Sequence, residues 1–279
     1  MIHFKGAADN LIAADIAGKM DGRVVLLLHG GGQTRQSWQS ARDALAKHNY
    51  LAIALDARGH GDSDWTTEQG YSIKDMAQDL RCVIATLDRP VALVGASMGG
   101  LTALTALVQD PSLKCDALAL VDVVPRPNSN GIAHIKAFMS ASPGGFASLD
   151  EVADAVAAYL PNRTRPASPE GLRKNLRLAA DGRYYWHWDP AFLNYREDDF
   201  SSSYELEMFL RTTAIPTLLV RGRESDVVTD AEVEHFRQMV PAATIVDIRG
   251  AAHMVAGDRN DVFLDSINSF LKNAGGSSQ

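Results

Sequence analysis

Cysteine is scarce in this chain: Cys82 and Cys115 are the only two among 279 residues. They do not form a pair with disulfide or metal-ligand spacing, so a disulfide-stapled or thiolate-zinc scaffold is excluded and two separate buried thiols in a reducing cytoplasm are expected. Long apolar runs are missing too, and none reaches the length needed to cross a bilayer. The opening Met1-Ile2-His3-Phe4-Lys5-Gly6-Ala7-Ala8-Asp9 has neither the basic start nor the apolar stretch of a signal peptide, so no targeting segment is expected. Basic charge is also short, with 27 Lys and Arg against 34 Asp and Glu and a net charge of −7. That balance argues against nucleic acid or an anionic membrane as partner. No His-x-His-x-Asp-His cluster or comparable ligand spacing occurs, so neither a metal nor a cofactor is expected, and no internal repeat is visible.

What remains is an ordinary globular composition, 46% hydrophobic and 22% charged, long enough for a large core. Unbroken apolar runs at 23–28, 50–56, 91–96, 117–124, 215–222 and 244–248 have the character of buried strands. A weaker alternation at 11–18 suggests an edge strand. Between the runs lie segments with helical spacing at 37–47, 72–87, 101–108, 229–239 and 261–272, and the chain ends in a structureless tail at 274–279. Ser72 with Asp75, and Thr229 with Glu232, supply capping boxes for two of the helices. Strands alternating with helices in this way predict an α/β fold, a mostly parallel sheet covered on both faces. The alternation stops between 125 and 213. There the pattern predicts helices at 132–141, 148–160 (opened by Ser148 and Glu151) and 168–180 (Pro169 in its first turn). The expected organisation is therefore a core of residues 1–124 and 214–279 with a helical lid inserted at 125–213.

The chemistry concentrates at Gly95-Ala96-Ser97-Met98-Gly99, where a buried strand runs straight into a helix. Ser97 occupies the corner, flanked by glycines because strand and helix approach too closely for a Cβ. A serine hydroxyl attacks a carbonyl only if a base takes its proton and a carboxylate orients that base. In an open parallel sheet such groups belong at the carboxyl ends of strands. His253 follows the last strand and is the expected base. Asp226 follows the strand before it and is the preferred acid, with Asp122, after the strand next to the elbow unit, as the alternative. The oxyanion formed on attack needs donors already in place. The Met98 N–H, at the start of the helix, is one. The glycine loop His29-Gly30-Gly31-Gly32 supplies the other, Gly31 in first place and Gly32 in second.

With His29-Gly30-Gly31-Gly32, Arg58-Gly59-His60-Gly61-Asp62-Ser63, Gly95-Ala96-Ser97-Met98-Gly99-Gly100, Asp226 and Gly250-Ala251-Ala252-His253, the chain resembles the α/β-hydrolase fold superfamily along essentially its whole length. The resemblance implies a Ser97–His253–Asp226 triad with Gly31 and Met98 as oxyanion donors. It also implies a supporting role for the loop 58–63, so that His60 is not the base. Serine rather than aspartate at the elbow suggests an esterase, lactonase, thioesterase, carbon–carbon hydrolase or perhydrolase-like member.

The lid carries Tyr184-Tyr185-Trp186-His187-Trp188, of which Tyr185, Trp186 and Trp188, together with Gly32, are the candidate substrate contacts. Apolar lid material without a Lys/Arg run points to neutral or hydrophobic acyl groups. The expected activity is hydrolysis of a small-molecule carboxylic ester or lactone, acyl-homoserine lactones included, through an acyl-Ser97 intermediate. The alternatives are a perhydrolase or cofactor-free haloperoxidase, and a non-catalytic hydrolase-like binding protein.

Overall fold

The computed structural model describes residues 1–66, 70–159, 165, 168–194, 202–253 and 260–275. Eight strands form one sheet in the order β1-β2-β4-β3-β5-β6-β9-β10: β1 (Ile2–Lys5), β2 (Leu11–Gly18), β3 (Arg23–Leu28), β4 (Tyr50–Leu55), β5 (Val91–Ala96), β6 (Cys115–Val121), β9 (Thr217–Gly222) and β10 (Thr244–Ile248). β1 and β2, and β2 and β4, pair antiparallel, and every other pair is parallel. The segment at 11–18 is thus a strand but not the edge, because β1 lies outside it.

Side chains alternate cleanly between the two faces, as a sheet covered on both sides requires. Val24, Leu26, Leu51, Ile53, Leu93, Leu118 and Leu219 face α2 (Ile73–Leu87), α3 (Met98–Gln109), α6 (Ser203–Thr212) and α7 (Asp230–Met239). Val25, Leu27, Ala52, Ala54, Ala92, Ala117 and Ala119 face the other way, toward α1 (Gln39–Lys47) and α8 (Asn260–Gly275). The alanines on that face leave room for two large rings, Trp38 and Phe263, whose centroids are 5.8 Å apart. Ser72 and Asp75 close a reciprocal capping box on α2, and Thr229 and Glu232 do the same on α7.

The insertion between β6 and β9 divides in two. α4 (Ser129–Ser140) and α5 (Leu149–Tyr159) lie outside the sheet layers, whereas α6 buries Leu206 and Leu210 in the main core. No α-helix spans 168–180; only its first half is helical, with Ser168 as cap and Pro169 in the first turn as expected. A short 3-10 turn at Pro169–Asn175 gives way to a two-stranded hairpin, β7 (Leu176–Leu178) with β8 (Tyr184–Trp186). Gly182, at a φ of 78°, permits the reversal that a continuing helix could not make. Ala274 and Gly275 close α8 rather than opening a tail, and 276–279 lie outside the described residues.

Candidate active site

Ser97 sits between β5 and α3 at φ 46° and ψ −114°, a conformation that L-residues rarely adopt and that a packed surrounding must impose. The packing is explicit. A Cβ on Gly95 would lie 2.5 Å from the Gly100 nitrogen, and one on Gly99 would lie 2.4 Å from the Leu28 carbonyl oxygen. Strand and helix therefore close on each other with Ser97 thrown out at the corner. Its N–H donates to the Val121 carbonyl at 3.0 Å, and Ala96 is the register partner of Val121. Ser97 and Asp122 consequently emerge side by side from neighbouring strand ends.

His253 is joined to that pair through Asp122. Its Nδ1 lies 2.6 Å from Asp122 Oδ2, and the carboxylate is fully buried. Two further donors fix the same carboxylate: the Gly222 N–H at 3.1 Å and the Ser225 hydroxyl. Ser225 Oγ in turn accepts the Val227 and Val228 N–H groups. Asp122 is itself held at a φ of 50°, with its N–H donating to the Val220 carbonyl at 2.7 Å. The loop carrying His253 reaches Asp122 by crossing the end of β9 at Gly222, where a Cβ would lie 2.2 Å from the Ala252 carbonyl oxygen.

Asp226, the preferred acid from the sequence, is not part of this arrangement. Its carboxylate is about half exposed and meets His134 Nδ1 of α4 at 3.1 Å. The reason is local: Ser225 turns inward to cap the start of the following turn, and the next side chain points out. Its main chain packs under α4 instead, where a Cβ on Gly131 would lie 2.4 Å from the Asp226 carbonyl oxygen. Asp122 takes the place that the sequence offered as the alternative, and Ser225 is a member that sequence reasoning missed.

The glycine loop lies against the elbow, a Cβ on Gly30 coming within 3.4 Å of Ser97 Cβ. Gly31 faces Met98 Sδ and the Phe192 ring, and Met98 opens α3, so its N–H has no acceptor within the helix. Gly32 differs from expectation. It has a φ of 73°, its N–H donates to His60 Nε2, its carbonyl accepts from His187 Nε2 (both 3.2 Å), and Trp188 and Met139 fill the space beside it. Its polar groups are committed to the protein and not available to a substrate. His60 is fully buried and its second nitrogen bonds the Arg58 carbonyl at 3.1 Å.

The aromatic run separates by strand alternation. Trp186 stacks on Trp188 with centroids 5.0 Å apart and meets Phe138 and Phe146 edge-on. Trp188 and Phe192 join Met98, Met139, Tyr71, Ile73 and Met76 in an apolar cluster that roofs the elbow. Tyr185 faces the other way. Its hydroxyl donates to Asp181 at 2.8 Å and its ring lies under the Arg177 guanidinium, so it is no candidate substrate contact. Among the described residues no group of His, Cys, Asp and Glu could hold a metal ion, and no helix is long and apolar enough to cross a membrane.

A family model described as the alpha/beta hydrolase fold matches residues 23–259. The chain belongs to that family. Among its relatives, the sn-1-specific diacylglycerol lipase ABHD11 of Mus musculus is 28% identical over 254 residues, 88% of this chain and 80% of that protein. An esterase of Mycobacterium tuberculosis is 28% identical over 255 residues, 88% of this chain and 82% of its own. The crystal structure of an E-2-(acetamidomethylene)succinate hydrolase superposes with a TM-score of 0.83 at 24% identity, covering 97% of this chain and 98% of that one, a likeness of fold. This α/β-hydrolase thus has esterases and other hydrolases as relatives.

Proposed function

We propose that this α/β-hydrolase cleaves carboxylic esters, lactones included, through an acyl-Ser97 intermediate. The observation that carries the reading is the buried Asp122–His253 hydrogen bond at the strand end next to the Ser97 elbow. With Nδ1–H donating to Asp122, the free lone pair of the imidazole is on Nε2. That nitrogen takes the Ser97 proton as Oγ bonds to the substrate carbonyl carbon, and returns it to the leaving alcohol as the carbon–oxygen bond breaks. In the second half, Nε2 takes a proton from water, hydroxide adds to the acyl carbon, and the carboxylic acid leaves as Ser97 is reprotonated. The N–H groups of Gly31 and Met98 are the donors this reading assigns to the oxyanion in both halves.

The roof of Met98, Met139, Trp188 and Phe192 favours a neutral, apolar acyl group. The names of the relatives, a diacylglycerol lipase and an esterase, agree with ester chemistry. The test is hydrolysis of p-nitrophenyl esters of increasing acyl length beside acyl-homoserine lactones, each with and without peroxide. Turnover without peroxide, lost by at least about 10³-fold in Ser97→Ala, is the expected result. Turnover retained in that variant overturns the serine mechanism.

A further inference from the structure

Three buried imidazoles take no part in the proposed Ser97–His253–Asp122 relay. Each bonds a backbone N–H with one ring nitrogen and a backbone carbonyl with the other, which only a neutral imidazole can do. His29 Nδ1–H donates to the Gly30 carbonyl (2.8 Å) and Nε2 accepts the Ala57 N–H (3.0 Å). His60 Nδ1–H donates to the Arg58 carbonyl and Nε2 accepts the Gly32 N–H. His187 Nε2–H donates to the Gly32 carbonyl (3.2 Å) and Nδ1 accepts the Gly61 N–H (2.9 Å). Followed along the glycine loop, the three hold consecutive peptide units. The Gly30 carbonyl shares its peptide plane with the Gly31 N–H, the proposed oxyanion donor. The next unit is fixed at the Gly32 N–H, and the one after at the Gly32 carbonyl. The glycines themselves have no side chains to set the loop's conformation, so these contacts set it together with Gln33, whose N–H donates to the Gly30 carbonyl and whose Oε1 accepts the Gly30 N–H (both 3.1 Å).

His29 and His60 belong to the loops that follow β3 and β4, but His187 comes from the insertion. It follows β8 directly, and the adjoining chain is docked by the Asp189 N–H on the Gly59 carbonyl (2.9 Å) and by the Tyr71 hydroxyl on Asp189 (2.5 Å). We propose that His187 is a positioning residue for the oxyanion loop, bonding Gly32 and Gly61 at once so that the Gly31 donor is aimed only when this part of the insertion is seated. The inference rests on the ester-hydrolysis reading of Ser97 and deepens it: the insertion completes the transition-state site as well as roofing it. A donor displaced by about 1 Å costs on the order of 10²-fold in rate, so the loss of one fixing contact is kinetically visible.

The test compares His187→Phe, which keeps a ring of similar size and loses both bonds, with His187→Gln, which retains a donor and an acceptor on one side chain. His187→Phe is expected to lower kcat on a p-nitrophenyl ester by about 30-fold or more with KM changed by less than about threefold, and to weaken a trifluoromethyl ketone inhibitor in step with kcat/KM, because its adduct with Ser97 carries the same oxyanion. His187→Gln is expected to recover most of that loss. A role in stability alone would lower Tm without splitting kcat from KM or selectively weakening the ketone. Amide hydrogen exchange over 29–33 and 59–62 gives a readout independent of turnover, and it is expected to accelerate in His187→Phe. Unchanged exchange overturns the inference whatever the kinetics show, as does faster exchange with kcat and ketone affinity unchanged in an active enzyme. If wild type hydrolyses no ester, the Ser97 reading falls by itself, and the exchange result alone decides whether His187 sets the loop.

Discussion

Ser225 Oγ donates to the Asp122 carboxylate while accepting two main-chain amides, so one hydroxyl both holds the acid and starts the turn before α7. Ser225→Ala is expected to reduce kcat/KM about tenfold and to destabilise the fold by about 1–2 kcal/mol, since a buried carboxylate loses a donor and two N–H groups lose their acceptor; steady-state kinetics and urea unfolding check the two parts separately. Burial also acts on the imidazoles. It pushes His29 and His60 below the usual histidine value, and takes His187, which also faces His29 and Asp62, down to about 4. A histidine whose folded value lies below its unfolded value of about 6.5 stabilises the native state fully above 6.5. It loses that contribution as pH falls toward 4, because the unfolded chain takes up the proton first. His187 alone therefore contributes on the order of 3 kcal/mol to a loss of stability between pH 7 and pH 4. Unfolding at the two pH values should show a smaller loss in His187→Gln than in wild type. None of this is visible in a residue list: Tyr184 to Trp188 reads as a run of rings, and nothing in it marks the one imidazole that bonds backbone at both ends.

At the scale of elements, the elbow was legible because its geometry leaves no freedom to its residues. Gly95 and Gly99 are required by backbone atoms within 2.5 Å of where a Cβ would stand, and a sequence must declare such positions. Gly99→Ala is expected to abolish labelling of Ser97 by a fluorophosphonate or to leave the chain unfolded, because the Leu28 carbonyl has no room to give. The helix starts were legible for a similar reason. Ser72→Ala should cost about 1 kcal/mol in thermal unfolding, since α2 loses its cap. The hairpin of β7 and β8 was not legible. Its strands are three residues each, too short to establish a period of two against a helical one, and it is held by contacts with residues far along the chain, such as Phe146 on Tyr184.

For the whole molecule, the identity of β3, β4, β5, β6, β9 and β10 followed from apolar runs, but strand order did not. Which acid reaches His253 depends on that order. β6 lies between β5 and β9, so Asp122 stands beside Ser97, while Asp226, after β9, is turned out toward α4. Both carboxylates follow a strand and both fall between Ser97 and His253 in the chain; the turn that ends the run 218–226 favoured the later one. Only the crossing of the 251–253 loop over Gly222 selects the earlier. The same three-dimensional placement gives the insertion its two parts, one buried against α3 and α7 and one roofing the elbow. The most direct measurement is kcat/KM on a turned-over ester for Asp122→Asn beside Asp226→Asn. The account predicts a loss on the order of 10⁴-fold in the first, because an amide no longer favours the productive tautomer of His253, and a change within about twofold in the second. A large loss in Asp226→Asn with Asp122→Asn close to wild type would contradict it.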